Sequence, residues 1–239
     1  ICKIIYMKLC ILDNDDLDPA AVPIWGSYAN MFERLLRDAG FRGDIEAFSA
    51  RHAQYPGSFD AYDVVLLTGS RADAFSKEPW VLDLCSRVSA LLKQKKRLIG
   101  VCFGHQLIAH CLGAKVDRAP HGWCLGRHTY TWHEPQYFEE HTEQVSLLAS
   151  HQDQVLELPA GARLLASNSH CPIAAYAIGQ QVLCLQPHPE FDPEYSAFLL
   201  EKRRAQYGEV VYQEALSGLH SGHDGARMAH LMLRFIEQA

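Results

Sequence analysis

Along the 239-residue chain, short unbroken apolar runs alternate with longer stretches of helical spacing. Leu9-Cys10-Ile11-Leu12 is apolar throughout, the pattern of a strand covered on both faces, and it ends in the acidic loop Asp13-Asn14-Asp15-Asp16. From Ser27, an N-cap residue type, Tyr28, Met31, Phe32, Leu35 and Leu36 recur at helical intervals until Gly40 stops them, which predicts an amphipathic helix. Val64-Val65-Leu66-Leu67 is a second buried strand, running into Thr68-Gly69-Ser70. Pro79 then opens a helix whose stripe is Val81, Leu84, Cys85, Val88, Leu91 and Leu92, and which ends in the basic run Lys93-Gln94-Lys95-Lys96-Arg97. Cations suit a helix C-terminus, so this run is read as a solvated helix end and not as an anion site. Leu98-Ile99-Gly100-Val101 is the next strand, and a helix starts almost at once at Gly104. The second half is denser in strand pattern, at Trp123 to Trp132, Val145 to Ala149, Ala174 to Ile178 and Val182 to Leu185, before two or three helices after Pro193. Strands alternating with helices predict βαβ units and a parallel sheet.

Composition narrows the function classes. With 48% hydrophobic and 21% charged residues the chain can bury a core, unlike a disordered segment. A formal charge of −6 supplies no basic field for a phosphate backbone, which argues against nucleic acid as a partner. No apolar run reaches the roughly eighteen residues of a membrane span, and no signal peptide opens the chain, so a cytoplasmic protein with a small substrate is expected. The eight cysteines form no CxxC pair, which predicts free thiols in a reducing compartment, with Cys111 and Cys184 as core residues. Met7-Lys8 reads as a natural start, residues 1–6 as an extension, and residues 7–239 as a single domain. Thirteen histidines form no His-Glu-x-x-His motif, and His220-Ser221-Gly222-His223 reads as a polar turn, so no metal site is expected. The acidic loop lacks the glycine and glutamate of a calcium loop, Asp18 and Ile24 standing in their places. It is expected to cap the following helix, a contact with a substrate ammonium group being the alternative.

Chemistry concentrates at Gly100-Val101-Cys102-Phe103-Gly104-His105-Gln106, a strand, a glycine-flanked cysteine and a helix start within a few residues. That is the pattern of a nucleophile elbow, which exposes the side chain above the sheet, at a helix N-terminus that favours a thiolate. A thiolate attacking an amide needs a proton carrier for the departing amine, and the carrier needs an orienting acceptor. His188-Pro189-Glu190, after the apolar strand ending at Leu185, offers both, because residues i and i+2 of an extended segment share a face. A plain surface loop is the alternative for these three residues; the elbow decides between the readings.

At these residues the chain resembles the class I glutamine amidotransferases, with Cys102, His188 and Glu190 matching that family's catalytic triad. The resemblance runs from about Leu9 to Phe191. It implies a flavodoxin-like α/β fold, a mostly parallel sheet with helices on both faces, and no cofactor. It also implies an oxyanion hole at Gly69, Ser70 and Phe103, Ser70 standing where the family usually has a second glycine. Gln106, Ser150, His151 and Gln152 correspond to its substrate-binding segments. Phe103, Gly113-Ala114-Lys115-Val116 and His121-Gly122-Trp123 look closest to the stand-alone, GMP-synthase-like branch that includes plant γ-glutamyl peptidases, although Cys124 replaces an acidic residue common there. In such sheets ligands bind beyond the carboxyl ends of the strands, where Asp13, Gly69, Ser70 and Cys102 fall.

Three functions are then in view. The first is a cysteine amidohydrolase acting on the γ-carboxamide of glutamine or on a γ-glutamyl amide, through a γ-glutamyl thioester. The second is a glutaminase subunit supplying ammonia to a separate synthase, since this length leaves no room for a synthetase domain. The third is a redox-sensing or chaperone-like relative without catalysis.

Overall fold

A computed structural model describes residues 6–134 and 143–238. The proposed extension therefore lies, but for Tyr6, outside the described residues, as does Cys2. The chain runs through β1 (Lys8–Asp13), α1 (Val22–Trp25), α2 (Tyr28–Asp38), β2 (Asp44–Ser49), β3 (Val64–Leu67), α3 (Pro79–Lys93), β4 (Arg97–Val101) and α4 (Phe103–Cys111). There follow β5 (Val116–Arg118), β6 (Cys124–Trp132), β7 (Gln144–His151), β8 (Asp153–Val155), β9 (Arg163–Ser167), β10 (Ala175–Ile178) and β11 (Val182–Leu185). Four helices close the chain: α5 (Pro193–Lys202), α6 (Arg204–Tyr207), α7 (Glu209–Ser217) and α8 (Gly225–Glu237).

Nine strands form one mixed sheet in the order β2-β1-β3-β4-β11-β10-β9-β6-β7. The pairings from β2 to β11 are parallel and those from β11 to β7 antiparallel. The small β5–β8 ribbon stands apart from it. The α/β fold with helices on both faces is thus the one expected from the sequence. Alternation along each central strand assigns the faces, since successive side chains point to opposite sides. Leu9, Ile11, Val64 and Leu66 pack beneath α2 and α8, against Phe32, Leu36, Met228 and Met232. Cys10, Leu12, Val65 and Leu67 pack on the other face against Val81, Leu84 and Val88 of α3 and Leu107 and Ile108 of α4.

Local signals account for most boundaries. Ser27 caps α2 by accepting from the Asn30 amide at 3.2 Å, and Pro79 is the first residue of α3. The basic run after α3 is consumed structurally: Lys95 turns the chain with φ 60°, Lys96 donates to the Tyr62 carbonyl, and Arg97 opens β4 while donating to the Ile236 carbonyl. The helical and strand patterns do not mark β2, β5, β8 or β9, and the closing helices number four among the described residues. Cys184 lies buried in β11, as expected. Cys111 departs from expectation: it ends α4 only partly buried, its sulfur facing that of Cys85.

Because the α2 face is the apolar contact with the parallel strands, Phe32→Ala is expected to lower stability by about 3–5 kcal/mol in urea denaturation. Ile24→Ala, at a position 67% exposed, should stay within about 0.5 kcal/mol. Comparable losses from the two would contradict this packing.

Candidate active site

Three neighbouring parallel strands end at one edge of the sheet, and the next residues of each carry the candidate chemistry. Leu67 of β3 pairs with Gly100 of β4, and Val101 with Leu185 of β11. Gly69, Cys102 and His188 therefore leave adjacent strand ends within three residues of the sheet. A methyl group placed on Gly69 would lie 2.9 Å from His188 Cε1 and 3.6 Å from Cys102 Cβ. The absent side chain of Gly69 is the space into which the imidazole fits beside the cysteine.

The elbow is strained at the cysteine itself. Cys102 has φ 52° and ψ −103°, a conformation that costs an L residue about 1–3 kcal/mol. The flanking glycines are needed for close approach rather than for positive φ. A Cβ on Gly100 would come within 2.6 Å of the Gly104 carbonyl oxygen, and one on Gly104 would collide with the backbone of Leu67. Two hydrogen bonds brace the turn, from the Cys102 amide to the Leu185 carbonyl at 2.8 Å and from the Gln106 amide to the Cys102 carbonyl at 3.0 Å.

His188 is held from four sides. Its Nδ1 lies 2.7 Å from Glu190 Oε1, its amide donates to the Leu148 carbonyl at 2.8 Å, and its ring stacks on Phe191 at 3.9 Å and 10°. Gly69 closes the remaining side. Phe191 in turn packs edge-on to Tyr195 and stacks on Tyr28, whose hydroxyl accepts from that of Tyr195 at 3.0 Å. Trp25 extends the cluster, fixed by its indole N–H on Asp192. Behind the loop, a Cβ on Gly225 would fall 2.5 Å from the Pro189 carbonyl oxygen, so α8 begins pressed against the His-Pro-Glu backbone. Burial by itself would make the His188 imidazole a weaker base. The Glu190 carboxylate and the Cys102 sulfur outweigh burial and raise it to about 10, so the imidazolium persists well above neutrality.

The loops that approach from β1 and β3 are locked together. Asp15 is almost wholly buried and takes Nε and Nη2 of Arg71 in a fork, both at 2.9 Å, as well as the Arg71 amide at 2.8 Å. Asn14 donates two hydrogen bonds of 2.9 Å to Thr68, from its amide to the hydroxyl and from its side-chain nitrogen to the carbonyl. Asp13 accepts from the Ala29 amide in the first turn of α2, the helix cap expected of the acidic loop. Ser70 follows directly. Non-glycine residues with positive φ are confined, among the described residues, to Ala53, Lys95 and Cys102, so a side chain at Ser70 carries no backbone penalty. Phe103 opens α4, where helix geometry leaves its amide without an intrahelical partner, and its ring stacks on Trp80.

A cavity of about 250 Å³ collects these groups. Its lining includes Gly69, Ser70, Cys102, Gln106, Ser150, His151, Gln152 and His188. Glu190 and Phe103 stand behind it, and the acidic loop after β1 does not reach it. Gln106 spends its amide nitrogen inward, on the Asp153 carbonyl at 2.8 Å and Gln186 Oε1 at 3.1 Å. His151 lines the cavity as a neutral ring: burial and the neighbouring His188 charge push it down to about 3. The Asp153 carbonyl accepts from its Nδ1 at 3.1 Å, which leaves Nε2 as an acceptor. Buried His105, expected only as part of the elbow motif, packs against the Tyr176 ring at a tilt of 48° and is likewise neutral. Of the lining cations, Arg71 is neutralised by Asp15, and Arg118 by Asp73 and Asp153. Arg203 has no carboxylate partner among the described residues. The sequence reading missed Tyr28, Arg71, Arg203 and Gly225 as parts of this site; no spacing signal marks them, because each arrives through tertiary packing. Among the described residues no group of three or more His, Cys, Asp or Glu is placed to hold a metal, and no helix is long and apolar enough to cross a membrane.

Comparison with known proteins follows the same lines. The pattern of the family "Glutamine amidotransferase class-I" matches residues 25–203. Gamma-glutamyl peptidase 4 of Arabidopsis thaliana is 38% identical over 176 residues, covering 70% of this chain and 69% of its own. The glutamine-hydrolyzing GMP synthase of Bdellovibrio bacteriovorus is 32% identical over 168 residues, 68% of this chain but 30% of that protein. The crystal structure of a glutamine amidotransferase from Thermotoga maritima superposes with a TM-score of 0.78 at 17% identity, covering 98% of this chain and 99% of that one.

The raised His188 value fixes a sign. A folded-state value above the ordinary 6.5 means that the charged pair contributes stability in full below about 6.5 and loses it as pH rises towards 10. Glu190→Gln removes the carboxylate charge, so the midpoint of the His188 Cε1–H resonance should fall by more than one pH unit in an NMR titration. An unchanged midpoint would show that Glu190 does not hold the proton on His188.

Proposed function

The chain belongs to the glutamine amidotransferase class-I family, and from that premise we propose that it hydrolyses γ-glutamyl amide bonds with Cys102 as nucleophile. The observation that carries this reading is the convergence at Gly69, where the His188 ring and the strained Cys102 elbow meet at the mouth of one cavity. In the proposed reaction Cys102 Sγ attacks the γ-carbonyl carbon, and the oxyanion is received by the main-chain N–H groups of Ser70 and Phe103. The C–N bond breaks as His188 passes a proton to the departing nitrogen, leaving a γ-glutamyl thioester. Water then attacks the thioester, giving its proton to His188, and the γ-carboxyl product leaves as the sulfur is expelled, which restores the thiolate–imidazolium pair. Glu190 orients the imidazole through Nδ1 and stabilises its charge without itself needing to be protonated. Gln106, Ser150, His151 and Gln152 form the substrate-facing wall in this reading, and the uncompensated Arg203 suits a substrate that carries a carboxylate.

The substrate class follows from the relatives. Similarity to γ-glutamyl peptidases supports a γ-glutamyl amide, whereas the match to about a third of a GMP synthase supports a glutaminase that hands ammonia to a separate synthase. The continuous sheet from β2 to β7 supports treating residues 7–239 as one domain. Cysteine usage suits a cytoplasmic setting. Glutamate release by the isolated chain from glutamine and from γ-glutamyl dipeptides separates the two readings. Turnover of the dipeptides, abolished in Cys102→Ser, is the expected result, together with labelling of Cys102 by a glutamine-like electrophile. Label on another cysteine with Cys102 spared would overturn the nucleophile; silence towards every amide until a synthase is added would favour the second reading.

The oxyanion assignment is tested at Ser70, whose contribution is main chain. Ser70→Gly should change kcat by less than about threefold, while Ser70→Pro, which deletes the donor, should cost on the order of 100-fold or more. Equal effects of the two substitutions would remove Ser70 from the oxyanion hole.

A further inference from the structure

Two cysteines away from the cavity face each other across the helix pair that supports the elbow. Cys85 lies midway along α3, and Cys111 is the last residue of α4, the helix that starts directly after Cys102. Their Sγ atoms are 2.7 Å apart, about 0.7 Å longer than a disulfide bond. Both side chains are only partly buried, whereas Cys10, Cys124, Cys171 and Cys184 are buried. Burial pushes the thiols of Cys10, Cys124 and Cys184 up to about 12, which leaves them unreactive. The Cys111 thiol donates towards Cys85 and holds that thiol below its ordinary value, which marks Cys85 as the attacking sulfur.

We propose that Cys85 and Cys111 form a thiol–disulfide exchange site that closes a reversible covalent staple between α3 and α4 on meeting a low-molecular-weight disulfide. The Cys85 thiolate attacks one sulfur of the small disulfide, forming a mixed disulfide and expelling one thiolate, which takes up a proton. Cys111, its proton lost to solvent, then attacks Cys85 Sγ and expels the second thiolate. Two protein thiols are oxidised by two electrons, and the small disulfide is reduced to two thiols. The bond joins residues 26 apart in sequence and restrains the unfolded chain accordingly. Because the sulfurs already touch, the elbow at the opposite end of α4, about 13 Å along the helix, need not move.

The test uses the full chain, reduced and freed of reductant, treated with excess 2-hydroxyethyl disulfide at pH 8 and quenched with iodoacetamide. This disulfide has no γ-glutamyl bond for Cys102 to act on. Peptide mass mapping without reduction should find Cys85 linked to Cys111 with no hydroxyethyl adduct on either. Thermal unfolding should show Tm raised by about 5–10 °C, and dithiothreitol should reverse both changes. In Cys111→Ser the treatment should leave Tm unchanged and the adduct stranded on Cys85; Cys85→Ala serves as a second control, and the mapping of the unmodified sequence needs neither variant. Carboxamidomethylation of both cysteines, a persistent adduct on Cys85 of the unsubstituted chain, or a linked peptide without a rise in Tm would each overturn the proposal.

Discussion

The rest of the site depends on one steric constraint, the approach of three strand ends so close that glycine alone fits between them. Gly104 presses on the backbone of Leu67, Gly100 on the start of α4, and Gly69 on the His188 ring. This packing over-determines the path of the chain at Cys102 and sustains a φ of 52° that the residue would not adopt on its own. The Cys102 side chain cannot relax into the sheet while β3, β4 and β11 keep their register. Strain at Cys102 is thus supported by burial elsewhere: the strands that impose it carry fully buried valine, leucine and isoleucine on both faces.

The same economy governs the charges. A buried imidazolium and carboxylate are costly to desolvate, and their attraction repays that cost only with good geometry. Here the 2.7 Å contact, the Phe191 stack and the backbone bond to Leu148 remove the freedom that would otherwise dilute it. The acidic loop works comparably. Asp15 is buried because Arg71 grips it with a fork and a backbone amide, and the product of that ion pair is a fixed position for the Gly69–Ser70 turn. These carboxylates hold the loop that faces the cavity without themselves lining it.

What was legible in the sequence is what is local. The elbow, the His-Pro-Glu loop, the central strands and the α2 cap each declare themselves within about ten residues, because period, punctuation and capping are short-range effects. Strand β2 escaped because it lies at the edge of the sheet and is partly exposed along its length, without a continuous apolar run. Strand β9 presents a single pair of buried residues, and β5 and β8 have three residues each. Arg71 with Asp15, Gly225 with Pro189 and Cys85 with Cys111 join positions 26 or more apart, so no window of sequence displays them. The elbow glycines show the limit from the other side: their presence was readable, but their reason, close packing rather than positive φ, needed three dimensions.

Helix α4 runs from the Cys102 elbow to the Cys85–Cys111 sulfur contact. Its first turn follows directly on Cys102, with N–H groups that helix geometry leaves without intrahelical partners, and its last residue meets α3 through sulfur. Between those ends Gln106 ties it to the Asp153 carbonyl and Gln186, while Leu107 and Ile108 bury it against α3 and the sheet. A helix anchored along its length in this way transmits little displacement, since a packed interior yields to discrete rearrangement rather than to gradual bending. A covalent link at Cys111 would therefore act on how often α4 detaches from the sheet, and hence on the lifetime of the folded elbow, rather than on the geometry of the elbow once it is formed.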